Sequence, residues 1–187
     1  MPIRQKAKNF IYDMLNDIKV ELLDEFDMNF RRKAFFDRPW PETKYRVRRG
    51  SLMMRSGALR RSVRAQVVNT TIPFTSSLPY ASIHNEGGSI TVTRRMQKYF
   101  WAMYYETSGR LTYSVRQRAV ANSARNRMIS DEASYWKAMA LKPVGSRLKV
   151  PERRFIGAHP QVDKIVSMVV DDTMRDVEQY IKNRLKP

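Results

Sequence analysis

The sequence predicts an α+β domain: an antiparallel sheet covered by N-terminal and C-terminal amphipathic helices, with a helical, Arg-rich central insertion. Three observations point there. Apolar residues recur at helical spacing near both ends, short alternating segments between residues 62 and 92 read as strands, and basic residues crowd into the middle. Amphipathic helices must bury a stripe against another layer, and closely linked short strands pair antiparallel. At 187 residues and 42% hydrophobic content the chain is expected to form one domain, 1–187, with 93–146 as the insertion.

The first helix rests on Ile11, Leu15, Ile18, Leu22 and Phe26, which step by four, three, four and four. Asp13, Asp17, Glu21 and Asp24 fall on roughly the opposite face. Like charges four apart cost an isolated helix about 0.2–0.5 kcal/mol per pair. This acidic stripe is either a solvated face or a docking face for a basic neighbour. Pro39-Trp40-Pro41 cannot continue a helix, so a basic, extended connection is expected, with Trp40 plugging the edge of the core.

A short helix or turn is expected over Leu52–Leu59, with Ser56-Gly57 near its end. Val63, Ala65 and Val67 alternate with Arg64 and Gln66, a half-buried strand. Ile72 and Phe74 begin a second strand, Tyr80 to His84 a third, and Ile90 and Val92 a fourth beyond Gly87-Gly88. That glycine pair calls for backbone angles that residues with a Cβ avoid. Thr93 suits the N-cap of a helix that places Met96, Phe100 and Met103 on one face. From Thr107 to Ser130 the chain holds Arg110, Arg116, Arg118, Arg125 and Arg127 and few apolar residues, so it reads as a mobile or assembly-ordered loop.

A helix from Asp131 through Trp136 and Met139 follows, then the RLKVP strand and ERRFIG. Pro160 suits the first turn of the closing helix, whose inner stripe is Val162, Val166, Val169, Thr173, Val177 and Tyr180.

The net charge of +17 is unevenly spread. Residues 31–154 hold 26 basic and 7 acidic residues, while the two ends are balanced or slightly acidic. A block of this kind faces nucleic acid or an acidic protein surface, or is spread in water. There is no cysteine, which excludes disulfides and Cys-containing zinc sites and favours assembly in a reducing cytoplasm. No apolar stretch approaches the ~18 residues of a membrane span, and no signal peptide is read at the N-terminus, so a soluble intracellular product is expected.

Catalysis finds little support. His84 and Glu86 form half of a zinc-deaminase pattern, but its cysteines are missing. The other histidine, His159, lies far away in sequence, and His84 is expected to bond backbone and hold its turn. No dinucleotide or phosphate loop is present, and the paired carboxylates sit on outer helix faces. No enzyme, metal or cofactor is expected. Arg48, Arg49, Arg55, Arg60, Arg61 and Arg64 lie within 17 residues and suit sequence-independent phosphate binding. Non-specific DNA binding by the basic central region is therefore the alternative function.

Three segments carry a resemblance. Arg49–Arg64 (RGSLMMRSGALRRSVR), Pro79–Gly88 (PYASIHNEGG) and Val150–Gly157 (VPERRFIG), in this order and with Trp40-Pro41 upstream, resemble the phage virion-morphogenesis, or tail-completion, family. Two departures stand out: Arg153-Arg154-Phe155 where that pattern often has Arg-Pro-Phe, and a long insertion from Thr93 to Ser146. The resemblance implies a structural virion protein that completes or caps the tail, or joins it to the head, as a ring at the neck. Six subunits are expected, assembled in the host cytoplasm beside portal-side or tail-tube proteins, with contact to packaged DNA open and no membrane. Trp40, Gly57, Tyr80, His84, Gly87, Gly88, Phe155 and Gly157 are then turn and structural positions. Asp13, Asp17, Glu21 and Asp24 are assigned to one side of a subunit interface, with Arg60, Arg61 and Arg64 on the other. Arg110, Arg116, Arg118, Arg125 and Arg127 form a basic loop ordered on contact with a partner.

Overall fold

The computed structural model describes residues 3–43 and 50–185, mixed α and β with long helices at both ends of the chain. The chain divides into two compact units, Met1–Trp40 with Met53–Glu86 and Glu152–Pro187, and Pro41–Leu52 with Gly87–Pro151.

In the first unit, helix α1 (Ile3–Arg32) and helix α6 (Pro160–Arg184) pack antiparallel. Phe10 near the start of α1 meets Tyr180 near the end of α6, with ring centroids 5.9 Å apart. At the other end Phe35 lies 5.5 Å from His159. Thirty residues make α1 about 45 Å long. Of its apolar stripe, Ile18, Leu22 and Phe26 are buried and Leu15 half-buried, but Ile11 is exposed. The α6 stripe is only half-buried along its length, because one helix and a few short strands cover it.

Strands β1 (Ala34–Phe35) and β2 (Arg38–Pro39) form a tight hairpin where an extended connection is expected. Helix α2 (Ala58–Ser62) leads into β3 (Val63–Ala65), which pairs antiparallel with β4 (Phe74–Ser76). Gly57 stands before α2 rather than near the end of a helix. Its φ of +70° starts the turn, and a Cβ there would meet Arg61 Nη1 at 2.8 Å. The expected strand at Tyr80–His84 is instead helix α3 (Ala81–Glu86). Tyr80 and His84, the two ends of that expected strand, lie four apart with rings 5.9 Å from each other. Gly87, at φ +73°, follows the last helical residue, where a left-handed residue is usual.

The second unit opens with β5 (Gly88–Thr91) and closes with β8 (Arg147–Val150), paired antiparallel from Gly88–Val150 to Thr91–Arg147. Between them runs a helical hairpin, α4 (Arg94–Ser108) and α5 (Ala124–Ala140). Thr93 caps α4, its hydroxyl accepting from Met96 N. Gln97 at the start of α4 donates to Lys142 O beyond α5 at 2.6 Å, so the helices are antiparallel. Phe100, Trp136 and Ala140 are buried between them, with Met96, Met103 and Leu148 packed around. At the far end, about 22 Å along α4, strands β6 (Tyr113–Ser114) and β7 (Ala119–Val120) form a small hairpin.

Residues 107–130 thus differ from the expected loop: they are the end of α4, the hairpin and the first turns of α5. Asn126, buried at 3% exposure, explains the order. Its amide accepts from Thr112 N and donates to Thr112 O and Ala121 O, satisfying backbone that apolar contacts could not. The helix expected from Asp131 accordingly begins at Ala124, capped by Ser123. Among the described residues the strands form four separate two-stranded pieces rather than one continuous sheet.

Candidate functional site

Parts of two of the sequence segments, around His84-Asn85 and residues 153–156, meet Trp40 and the end of α1 in the first unit. Phe30, Trp40 and Phe155 are buried together, with Phe30 5.6 Å from Trp40 and 5.2 Å from Phe155. Trp40 Nε1 donates to Arg154 O at 2.6 Å. Asn85 Oδ1 accepts from Phe155 N and Ile156 N at 2.9 and 3.1 Å. Arg153 N donates to His84 O at 2.8 Å. Asn29, fully buried, accepts from Phe36 N at 2.9 Å and donates to Phe155 O at 3.3 Å. The segment before α6 is thereby tied to α1, to the β1–β2 turn and to α3. Gly157, at φ +150°, and the capping residue His159 carry it into α6. His159 Nδ1 accepts from Gln161 N, so its Nε2–H donates to Asp37 at 2.9 Å and holds that carboxyl below its ordinary range.

The turn is held by Asn85 where the sequence suggests the His84 ring. The His84 Nδ1 atom is buried without a hydrogen-bond partner among the described residues. Burial, and then the Arg153 charge, push the His84 pKa down from 6.5. Burial also lowers Arg153. His84 is therefore neutral in the fold but takes a proton near pH 6.5 when unfolded. Its contribution is complete above 6.5 and is lost as pH falls below that value toward the folded pKa. The melting temperature should drop between pH 7 and pH 5, and His84→Gln should flatten that drop. An unchanged slope would exclude His84 as its source.

The acidic stripe is exposed: Asp13, Asp17, Glu21 and Asp24 all face solvent along α1. Among the described residues, the ion pairs that α1 makes use its other acids. Arg32 holds Glu25 at 2.9 Å, and Asp27 takes Arg31 and, through both carboxylate oxygens, Arg60. The three arginines assigned opposite the stripe are engaged locally. Arg60 is bound to Asp27, which raises its pKa. Arg61 donates to Ser56 O, and Arg64 to Arg61 O and Val63 O. Arg48 and Arg49 lie outside the described residues.

The remaining arginines cluster around the hairpin tip of the second unit. Arg110 pairs with Glu106 on α4, and Arg127 donates to Asn122 Oδ1 at 3.0 Å. Arg116 and Arg118 are exposed on the β6–β7 turn and Arg125 on the first turn of α5. Tyr113, Val115 and Met128 are exposed beside them, Val115 at 89%. Sequence reading marked the arginines of this tip but not its apolar residues or the fold that gathers them.

Among the described residues no group of three or more His, Cys, Asp or Glu is placed to hold a metal, and no helix is long and apolar enough to cross a membrane. The family model described as the phage virion morphogenesis family matches residues 12–175, which takes in the motif junction, both charged surfaces and the central arm. No curated protein and no solved structure matches the chain.

Proposed function

The chain belongs to the phage virion morphogenesis family, and on that premise we propose that it is a non-catalytic subunit of the virion neck. It completes or caps the tail, or joins it to the head, as a ring of copies of itself, with six the expected number. Portal-side and tail-tube proteins are its other partners.

The family match carries this reading, and three features of the molecule support it. The family-like segments are spent on holding the chain together rather than on presenting reactive groups. The two charged surfaces have opposite sign and lie on different elements, which suits the two unlike faces of a head-to-tail ring. The central arm adds exposed apolar and basic side chains at one tip, the composition of an assembly surface rather than of a solvated one.

Electron microscopy of a lysate from phage carrying an early stop codon in this gene tests the proposal. DNA-filled heads beside unattached or overlong tails are expected. Normal infectious particles would overturn it. A second reading, phosphate-backbone binding to packaged DNA, draws on the exposed Arg116, Arg118 and Arg125. It requires DNA affinity that survives 0.15 M salt and falls steeply above it.

A further inference from the structure

The ring reading leaves open which surfaces meet, and the structure narrows that choice. Of the three arginines assigned opposite the stripe, Arg60 is bound to Asp27 while Arg61 and Arg64 bond backbone carbonyls of their own unit, and the tip of the α4–α5 arm gathers exposed arginines beside exposed apolar side chains. We propose that the β6–β7 tip of one copy docks on the outer face of α1 in a second copy, an inference that rests on the ring reading and specifies its contact.

The two surfaces match in charge and in texture. On the tip, Arg116, Arg118 and Arg125 have no acidic partner within their unit among the described residues, and no acid occurs in sequence between Glu106 and Asp131. On α1, Asp13, Asp17, Glu21 and Asp24 stand exposed at helical spacing, and Val20, 50% exposed, lies among them, three residues after Asp17 and four before Asp24. An apolar residue inside an acidic stripe suits a basic tip that also presents Val115 and Tyr113, 67% exposed. Water-exposed acids four apart repel one another along α1. A basic partner removes that repulsion and covers Val20 at the same time. The two faces differ, so each copy can give its tip to one neighbour and its stripe to the other, and such heterologous contacts close into a ring or grow into a helix.

The absence of cysteine makes a clean test possible. Two single-cysteine chains, a tagged Asp17→Cys and an untagged Arg116→Cys, are mixed and oxidised, so any bond between them joins different copies. A heterodimer is expected, and Glu21→Arg on the first chain should lower its yield at least about tenfold by placing like charges together. Met168→Cys, on an exposed position of α6, is the control and should give little product. Sedimentation of the wild-type protein runs alongside. Rings without the Asp17–Arg116 bond would overturn this contact and leave the ring reading standing. A specific bond in a protein whose loss leaves normal phage would keep the contact and sink the neck assignment. An Arg116→Glu/Arg118→Glu variant that still forms rings but loses binding to a duplex oligonucleotide would assign the tip to DNA and overturn the proposal.

Discussion

Replacing Phe30 with alanine is expected to lower the unfolding free energy of the first unit by about 3–5 kcal/mol. The side chain has no solvent exposure, and its ring is edge-on to Trp40 and tilted against Phe155. Removal loses the apolar transfer energy, leaves a cavity between two rigid rings, and forfeits aromatic contacts of about 0.5–1.5 kcal/mol each. Collapse cannot repair it, because Trp40 is fixed through Arg154 O and Phe155 through Asn85. The midpoint in urea should therefore fall with little change in slope. Val162→Ala on the half-buried face of α6 serves as the comparison and should cost much less. Equal losses for the two would mean that the three-ring cluster does not anchor the segment before α6.

That cluster also shows which parts of the molecule were legible in the sequence. Trp40 reads as structural because large aromatics usually plug a core, and Phe155 through the Val150–Gly157 segment that carries the family resemblance. Both end helices followed from periodicity, and Thr93 and Pro160 marked helix starts by local chemistry that needs no tertiary context. Short elements fared differently. Residues 81–86 form a single helical turn and a half, over which helical and alternating spacing cannot be told apart. The fold of residues 107–130 depends on one buried amide, Asn126, whose bonds run to Thr112 and Ala121. Arg60 looked like a free surface cation, since nothing in the sequence shows that Asp27, 33 residues earlier, lies beside it. Asn29 did leave a trace: it follows Phe26 by three, a polar residue on the buried face of an amphipathic helix.

Asn29 and Asn85 should respond in opposite ways to the same isosteric change. Asn29 uses both ends of its amide, accepting from Phe36 N and donating to Phe155 O, at a site without solvent. Asn29→Asp keeps the acceptor but turns an oxygen toward the Phe155 carbonyl and buries a charge. A loss of about 3 kcal/mol or more is expected, the range for an unpaired buried polar or charged group. Protonation of the introduced carboxyl restores a donor, so the deficit should narrow as pH falls. Asn85 works through Oδ1 alone in its bonds to Phe155 N and Ile156 N. Asn85→Asp preserves that acceptor and should be mild, whereas Asn85→Ala orphans two amide donors at about 1–3 kcal/mol each. Chemical denaturation of the four proteins, with Asn29→Ala as the fourth, reads the pattern directly. Tolerance of aspartate at Asn29, or equal damage from aspartate and alanine at Asn85, would mean that these amides do not hold the segment as drawn. The expected pattern would establish that the Tyr80–Gly88 and Val150–Gly157 segments act as one clamp. Such a clamp closes the first unit around the start of α6.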